Sequence, residues 1–208
     1  MIRRGNGRTP GWMIALSILA FAGGSFIALS TETRELSASL PRQVHSDRDT
    51  LKTFEDRVAR YSELQREVKR DISSLRDNVG AVEIAAHQQA LAEGIRAARP
   101  NAREGDIFFD GARDQLIQIV RTELQQPQGV NMRATLELDE PGDERLLRGL
   151  IVNASYPEGV PLSTMPPNLL TKLPQLPKDL EYRFVGKDLV LRDVTANLFV
   201  DFVRDVIP

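Results

Sequence analysis

The chain holds two histidines, His45 and His87, and no cysteine. Without cysteine there is no disulfide, no zinc–thiolate site and no thiol nucleophile. The two histidines lie far apart in sequence, and neither belongs to an HExxH pattern. Asp106, Asp110 and Asp114 recur at intervals of four. On one helix they would share a face and could hold a divalent cation. Carboxylates at a helix amino terminus are also ordinary caps and dipole partners, and that is the preferred reading. Asp139, Glu140, Asp143 and Glu144 have a calcium-like composition without EF-hand spacing, so they read as a solvated hairpin tip. Ser155 and Ser163 have no neighbouring histidine to activate them. The glycines form neither a dinucleotide fingerprint nor a phosphate-binding loop. Asp188, Asp193 and Asp201 are expected to pair across strands with Arg183 and Arg192. Tyr182 and Phe184 read as core. The sequence therefore assigns no catalytic, cofactor-binding or metal site, and an enzyme is the less favoured reading.

Charge narrows the partners. Lys and Arg number 27 against 29 Asp and Glu, a net charge of −2. Nucleic-acid binders concentrate positive charge, so no nucleic-acid partner is expected. Residues 101–208 are the more acidic half, which favours solubility and says little about a ligand.

The elements that position these residues begin with Trp12–Leu29, WMIALSILAFAGGSFIAL, which contains no charged residue. At about 1.5 Å rise per residue it reaches roughly 27 Å, near the thickness of a bilayer core. Arg3, Arg4 and Arg8 precede it, and the segment after it is charge-balanced. The positive-inside bias then places residues 1–11 in the cytoplasm, a single-pass anchor over 12–30, and the remainder outside the inner membrane. The competing reading is a signal peptide cut after Ala20-Phe21-Ala22. Apolar residues continue past that point to Leu29, which favours an uncleaved signal-anchor.

Residues 31–47, punctuated by serines and Pro41, read as a linker. Residues 48–98 read as a helical stalk. Leu51, Phe54, Val58, Tyr61, Gln65, Val68, Ile72, Leu75, Val79 and Val82 follow alternating three- and four-residue steps. That is the seam of a left-handed coiled coil, with Gln65 as the polar position that sets register. The seam predicts a homo-oligomer or another anchored coil as partner. The alternative is a hairpin within the chain, made with the helix expected over 81–98.

Residues 101–208 read as a small α+β domain. A helix opens at Asp106 or Asp110 and runs to about Gln126, with Leu116, Ile117, Ile119, Val120 and Leu124 on one stripe. Alternation predicts strands at Met132–Leu138 and Leu150–Tyr156. A short helix follows over Asn168–Leu173. Glu181–Val185 and Asp188–Asp193 flank a Gly186-Lys187 turn as a hairpin, and a last strand falls within Asn197–Val206. The order αββαββ is that of a ferredoxin-like sheet with helices on one face.

MPPNLLTKLPQLP (165–177) and LPKDLEYRFVGKDLVLRDVTANLFVDFV (176–203) resemble the carboxy-terminal part of uncharacterised exported bacterial proteins, a likeness that brings no activity with it. The layout alone is similar to inner-membrane platform proteins of type IV pili and type II secretion, with no shared motif. That similarity implies a folded domain that mediates contacts. The favoured function is a membrane-anchored envelope protein with a coiled-coil stalk and an extracytoplasmic interaction domain, a structural or assembly component. The alternative is a periplasmic enzyme or small-ligand-binding protein with its site in residues 101–208, framed by Pro157–Pro177 and the acidic loop.

Overall fold

A computed structural model describes residues 32–72, 80–127, 129, 150–157, 160, 163 and 165–208. The expected anchor at 12–30 and the expected strand at Met132–Leu138 lie outside them. Among the described residues, no helix is long and apolar enough to cross a membrane. The chain divides into two units, Met1–Ser39 and Leu40–Pro208. Of the first, only the helical residues 32–39 are described; all that follows concerns the second.

Helix α1 spans Glu32–Asp71 and so includes the residues read as a linker. Glu, Arg, Leu and Ala there are good helix formers, against which one proline costs about 3 kcal/mol. Helix α2 is Ala81–Ala98 and α3 is Asp110–Gln125. The cap of α3 is Phe109, with no side-chain cap bond. Asp110 lies in the first turn, where negative charge suits the helix dipole. A short helix, α4, covers Pro167–Leu170, its Pro167 at the position where a missing N–H costs nothing. Strands β1 (Leu180–Val185), β2 (Asp188–Asp193) and β3 (Leu198–Val203) form an antiparallel meander in that order. Gly186 takes φ 56°, a left-handed conformation that glycine adopts readily, and it lets β1 turn tightly into β2. A register shift at Leu191/Arg192 leaves Val200 as the extra residue of β3.

The fold class is therefore α+β: helices and a three-stranded antiparallel sheet. The αββαββ order needs a strand at Leu150–Tyr156, and the structure does not form one. Asn153 turns left-handed at φ 65°, which interrupts the extended run after Val152. The segment instead lies irregularly along β3, with Asn153 N–H donating to the Phe199 carbonyl (2.7 Å), Phe199 N–H to Ala154 (2.9 Å) and Tyr156 N–H to Asn197 (3.0 Å). This covers the β3 edge, which would otherwise offer unpaired backbone groups.

The sheet is buried on both faces. On one, Leu180, Tyr182, Phe184, Leu189, Leu191 and Leu198 pack with residues of α1, α2 and α3 in the main core. On the other, Val185, Val190, Phe199 and Phe202 pack with Leu150 and Tyr156. Tyr182 and Phe184 are core side chains, as their alternation implies.

The helical stripes decide what the heptad repeat does. Phe54, Val58, Tyr61 and Gln65 are buried within this chain and belong to, or adjoin, its main core. The expected seam between chains is thereby corrected over these positions, because the face that would meet a second helix already meets the domain's own sheet layer. The reason is general: a 3.5-residue apolar stripe covers any apolar surface of matching length, and a sheet is one such surface. Where α1 nears α2, a Cβ on Gly94 would overlap the Val68 side chain. The missing side chain lets the two helices approach.

Candidate functional site

β3 reads LFVDFV, and Asp201 is a charge inside an otherwise apolar strand. It is fully buried. The bulge at Val200 aims it at the helical face, where the loop before α3 wraps around it. Gly105 N–H donates to Oδ1 (2.9 Å), and Ile107 and Phe108 N–H donate to Oδ2 (2.7 Å each). Phe202 N–H completes the set (2.9 Å). Successive backbone N–H groups of this kind form an anion nest, here filled by the chain's own carboxylate. Burial pushes the Asp201 carboxyl above the usual carboxylate range, and the four N–H donors act against that shift.

Asp193, at the end of β2, does the same for α1. It is also fully buried. Tyr61 hydroxyl donates to Oδ2 (2.7 Å), as does the Gln65 amide (2.8 Å). Thr195 and Ala196 N–H donate to Oδ1 (2.9 and 2.8 Å). Burial raises its pKa, and the bonds from Ala196, Tyr61, Gln65 and Thr195 oppose the rise. Tyr61 is itself held protonated far above the usual phenol range, first by burial and then by the adjoining carboxylate. Gln65 was expected to set coiled-coil register. It serves instead as a hydrogen-bond donor to this buried charge.

Neither aspartate therefore pairs with arginine, which corrects the expected cross-strand pairs. Asp188 accepts from Asp205 N–H (2.9 Å). The carboxylate that does bind the two arginines is Glu181, with Arg183 and Arg192 each at 2.7 Å on the other face of the sheet. Burial alone would raise the Glu181 pKa; the hydrogen bonds from Arg183 and Arg192 outweigh it and hold the group below its usual value. Arg192 also donates to Asn197 Oδ1 (2.6 Å) and lies over the Tyr156 ring.

Asp106, Asp110 and Asp114 are not brought together around one point. Asp106 pairs with Arg99 and Arg103, and the other two pair with Arg113. No group of three or more potential metal ligands occurs among the described residues. The acidic run Asp139–Glu144 lies outside them, and so does the His45 side chain. Ser155 Oγ accepts from Arg96 (2.7 Å).

Among the described residues, three open clefts stand out. One, of about 700 Å³, separates α1 from α3 at Arg48, Leu51, Gln115 and Ile119. A second, of about 580 Å³, runs between β1 and the chain around α4, where Met165, Leu170 and Pro174 form one wall. This is where the Pro-rich segment was expected to frame a pocket, but its charged groups Glu181 and Arg183 are already paired with each other. The third, of about 520 Å³, gathers Lys69, His87, Lys178, Asp179 and Thr195 over Ile72, Ile84 and Val194. It joins α1, α2 and the ends of β1 and β2, so it is not confined to residues 101–208. Of the three it carries the most cationic lining.

No family model matches the chain. No curated protein and no solved structure matches it either.

Proposed function

We propose that this protein is a single-pass, membrane-anchored envelope component whose Leu40–Pro208 unit is an extracytoplasmic interaction module. One observation carries the reading: the uncharged run Trp12–Leu29, preceded by Arg3, Arg4 and Arg8. Two features of the folded unit support the non-catalytic part of it. Its fully buried carboxylates, Asp193 and Asp201, are each saturated by four donors that fasten a helix or loop to the sheet. Perturbed groups of this kind also occur in active sites, but these two face the packed core. Phe54, Val58, Tyr61 and Gln65 of the heptad stripe lie in that core, so association with a second copy or with another anchored protein uses other surface of the unit.

The test is a pair of fusions after Pro208, one to alkaline phosphatase and one to green fluorescent protein, expressed with the intact amino terminus. The reading expects phosphatase activity without fluorescence, and membrane retention after carbonate extraction. The reverse pattern, or full release into the soluble fraction, defeats it. Crosslinking in intact membranes followed by affinity capture then identifies the neighbour.

A further inference from the structure

We infer that the cleft between the end of α1, the amino-terminal half of α2 and the β2–β3 turn binds a small amphiphilic acid: an anionic head, carboxylate or phosphate, on a compact apolar body. Its cavity of about 520 Å³ falls within the range of small-molecule sites, which are mostly apolar with a few convergent polar groups. Lys69 comes from α1, His87 from α2 and Lys178 from the segment leading into β1. Among the described residues the side chains of these three make no hydrogen bond or ion pair. The arginines around the core behave otherwise: Arg57, Arg99, Arg183 and Arg192 are each bound to a carbonyl or carboxylate.

Among the described lining residues the one carboxylate, Asp179, accepts from the Thr195 hydroxyl (3.4 Å). Among the described lining residues two lysines and an imidazole therefore face a single acid, an excess that suits an anion. The apolar surface between them is unusually open. Ile84 is 50% and Val194 41% exposed, and Ile72 adjoins them. An apolar ligand body covering these side chains gains free energy from the area removed from water.

The wall is also rigid. Thr195 N–H is held by Asp193, which is itself held by Tyr61 and Gln65 in the core. Gln65 further approaches the Thr195 hydroxyl (3.5 Å). A site on so supported a turn loses little entropy on binding.

The experiment uses the full chain and four probes that do not form micelles: 3-phenylpropionate, phenyl phosphate, 3-phenylpropanol and phenethylamine. Binding is followed by the imidazole proton resonances. With two histidines in the chain, a His45→Gln variant identifies the His87 signal. At least one acid should shift the His87 signal saturably, while the alcohol and the amine leave it unchanged. Whichever acid binds more tightly identifies the head group. The double variant Lys69→Met, Lys178→Met should weaken that binding by about tenfold or more with the urea midpoint unaltered. Equal binding of the alcohol, unchanged affinity in the double variant, or no saturable shift with either acid overturns the inference.

Discussion

Replacing Asp201 by alanine tests whether a buried charge organises the loop ahead of α3. The substitution removes the acceptor of Gly105, Ile107 and Phe108 N–H at one stroke. Gly105 is half-buried and can turn to water, but Ile107 and Phe108 are buried in the core. Two stranded buried donors cost about 1–3 kcal/mol each. Part of that returns because the charge itself no longer has to be kept out of water. Phe108 stacks between Phe54 (5.8 Å between ring centroids) and Tyr182 (6.5 Å), so a loosened loop also disturbs an aromatic column. The net loss should be about 3 kcal/mol, a large share of the 5–15 kcal/mol typical of a folded domain. With a urea m-value of about 2 kcal/mol/M, the midpoint of residues 40–208 followed by circular dichroism should fall by about 1.5 M. Asp201→Asn keeps one oxygen for the Ile107 and Phe108 pair and should lose about half as much. An alanine variant within about 0.5 kcal/mol of the parent, or an asparagine variant less stable than alanine, would refute the role given to the carboxylate.

Other perturbations follow from the same contacts. Gly94→Ala improves helix propensity by about 1 kcal/mol, yet should destabilise because its Cβ overlaps Val68; Val68→Ala in the same chain should restore part of the loss, and additive effects in a double-mutant cycle would argue against the contact. Val58→Asp puts a charge at a core position 3% exposed, so it should abolish folding rather than convert a dimer into a monomer; light scattering of a folded monomeric variant would restore the interchain seam. Glu181 has a folded-state pKa held below its unfolded value. Its contribution is therefore present above the ordinary glutamate pKa of about 4.3 and lost as pH falls through the depressed folded value. The stability difference between parent and Glu181→Gln, measured by urea unfolding, should shrink below about pH 4; a difference that grows there has the wrong sign. Asp193 and Asp201 run oppositely, since a raised folded pKa makes their contribution decline as pH climbs from the ordinary aspartate value to the raised one.

Local pattern located much of this architecture. Ala81–Ala98 is the helix its alanines and polar spacing describe, and the Gly186-Lys187 turn sits between the two expected strands. Leu116, Val120 and Leu124 face inward on α3 as their spacing requires. The strand read at Leu150–Tyr156 failed because alternation records which side chains want burial, and an irregular edge segment can bury the same ones. Leu150 and Tyr156 are buried there without being a strand. The clamps were half visible. An aspartate inside LFVDFV has no inexpensive place in a core unless donors surround it, and that signal alone marks Asp201. Three of its four donors could not be named, because they come from a loop some ninety residues earlier (sequence separations of 93 to 96).

What the sequence determined by itself is local and compositional: an uncharged amino-terminal run flanked by arginines, the helices and hairpin, and an absence of cysteine chemistry. Each depends on the residue types and short-range spacing that sterics and solvation read directly. What only the tertiary structure decided is which surface each apolar or charged face meets. Phe54, Val58 and Tyr61 of α1 meet their own domain's core, Gln65 and Tyr61 meet Asp193, and Lys69, His87 and Lys178, from three separate segments, border one cleft. The physical reason is that burial is non-directional. A stripe of apolar side chains specifies that it must be covered, and the rest of the folded chain determines what covers it.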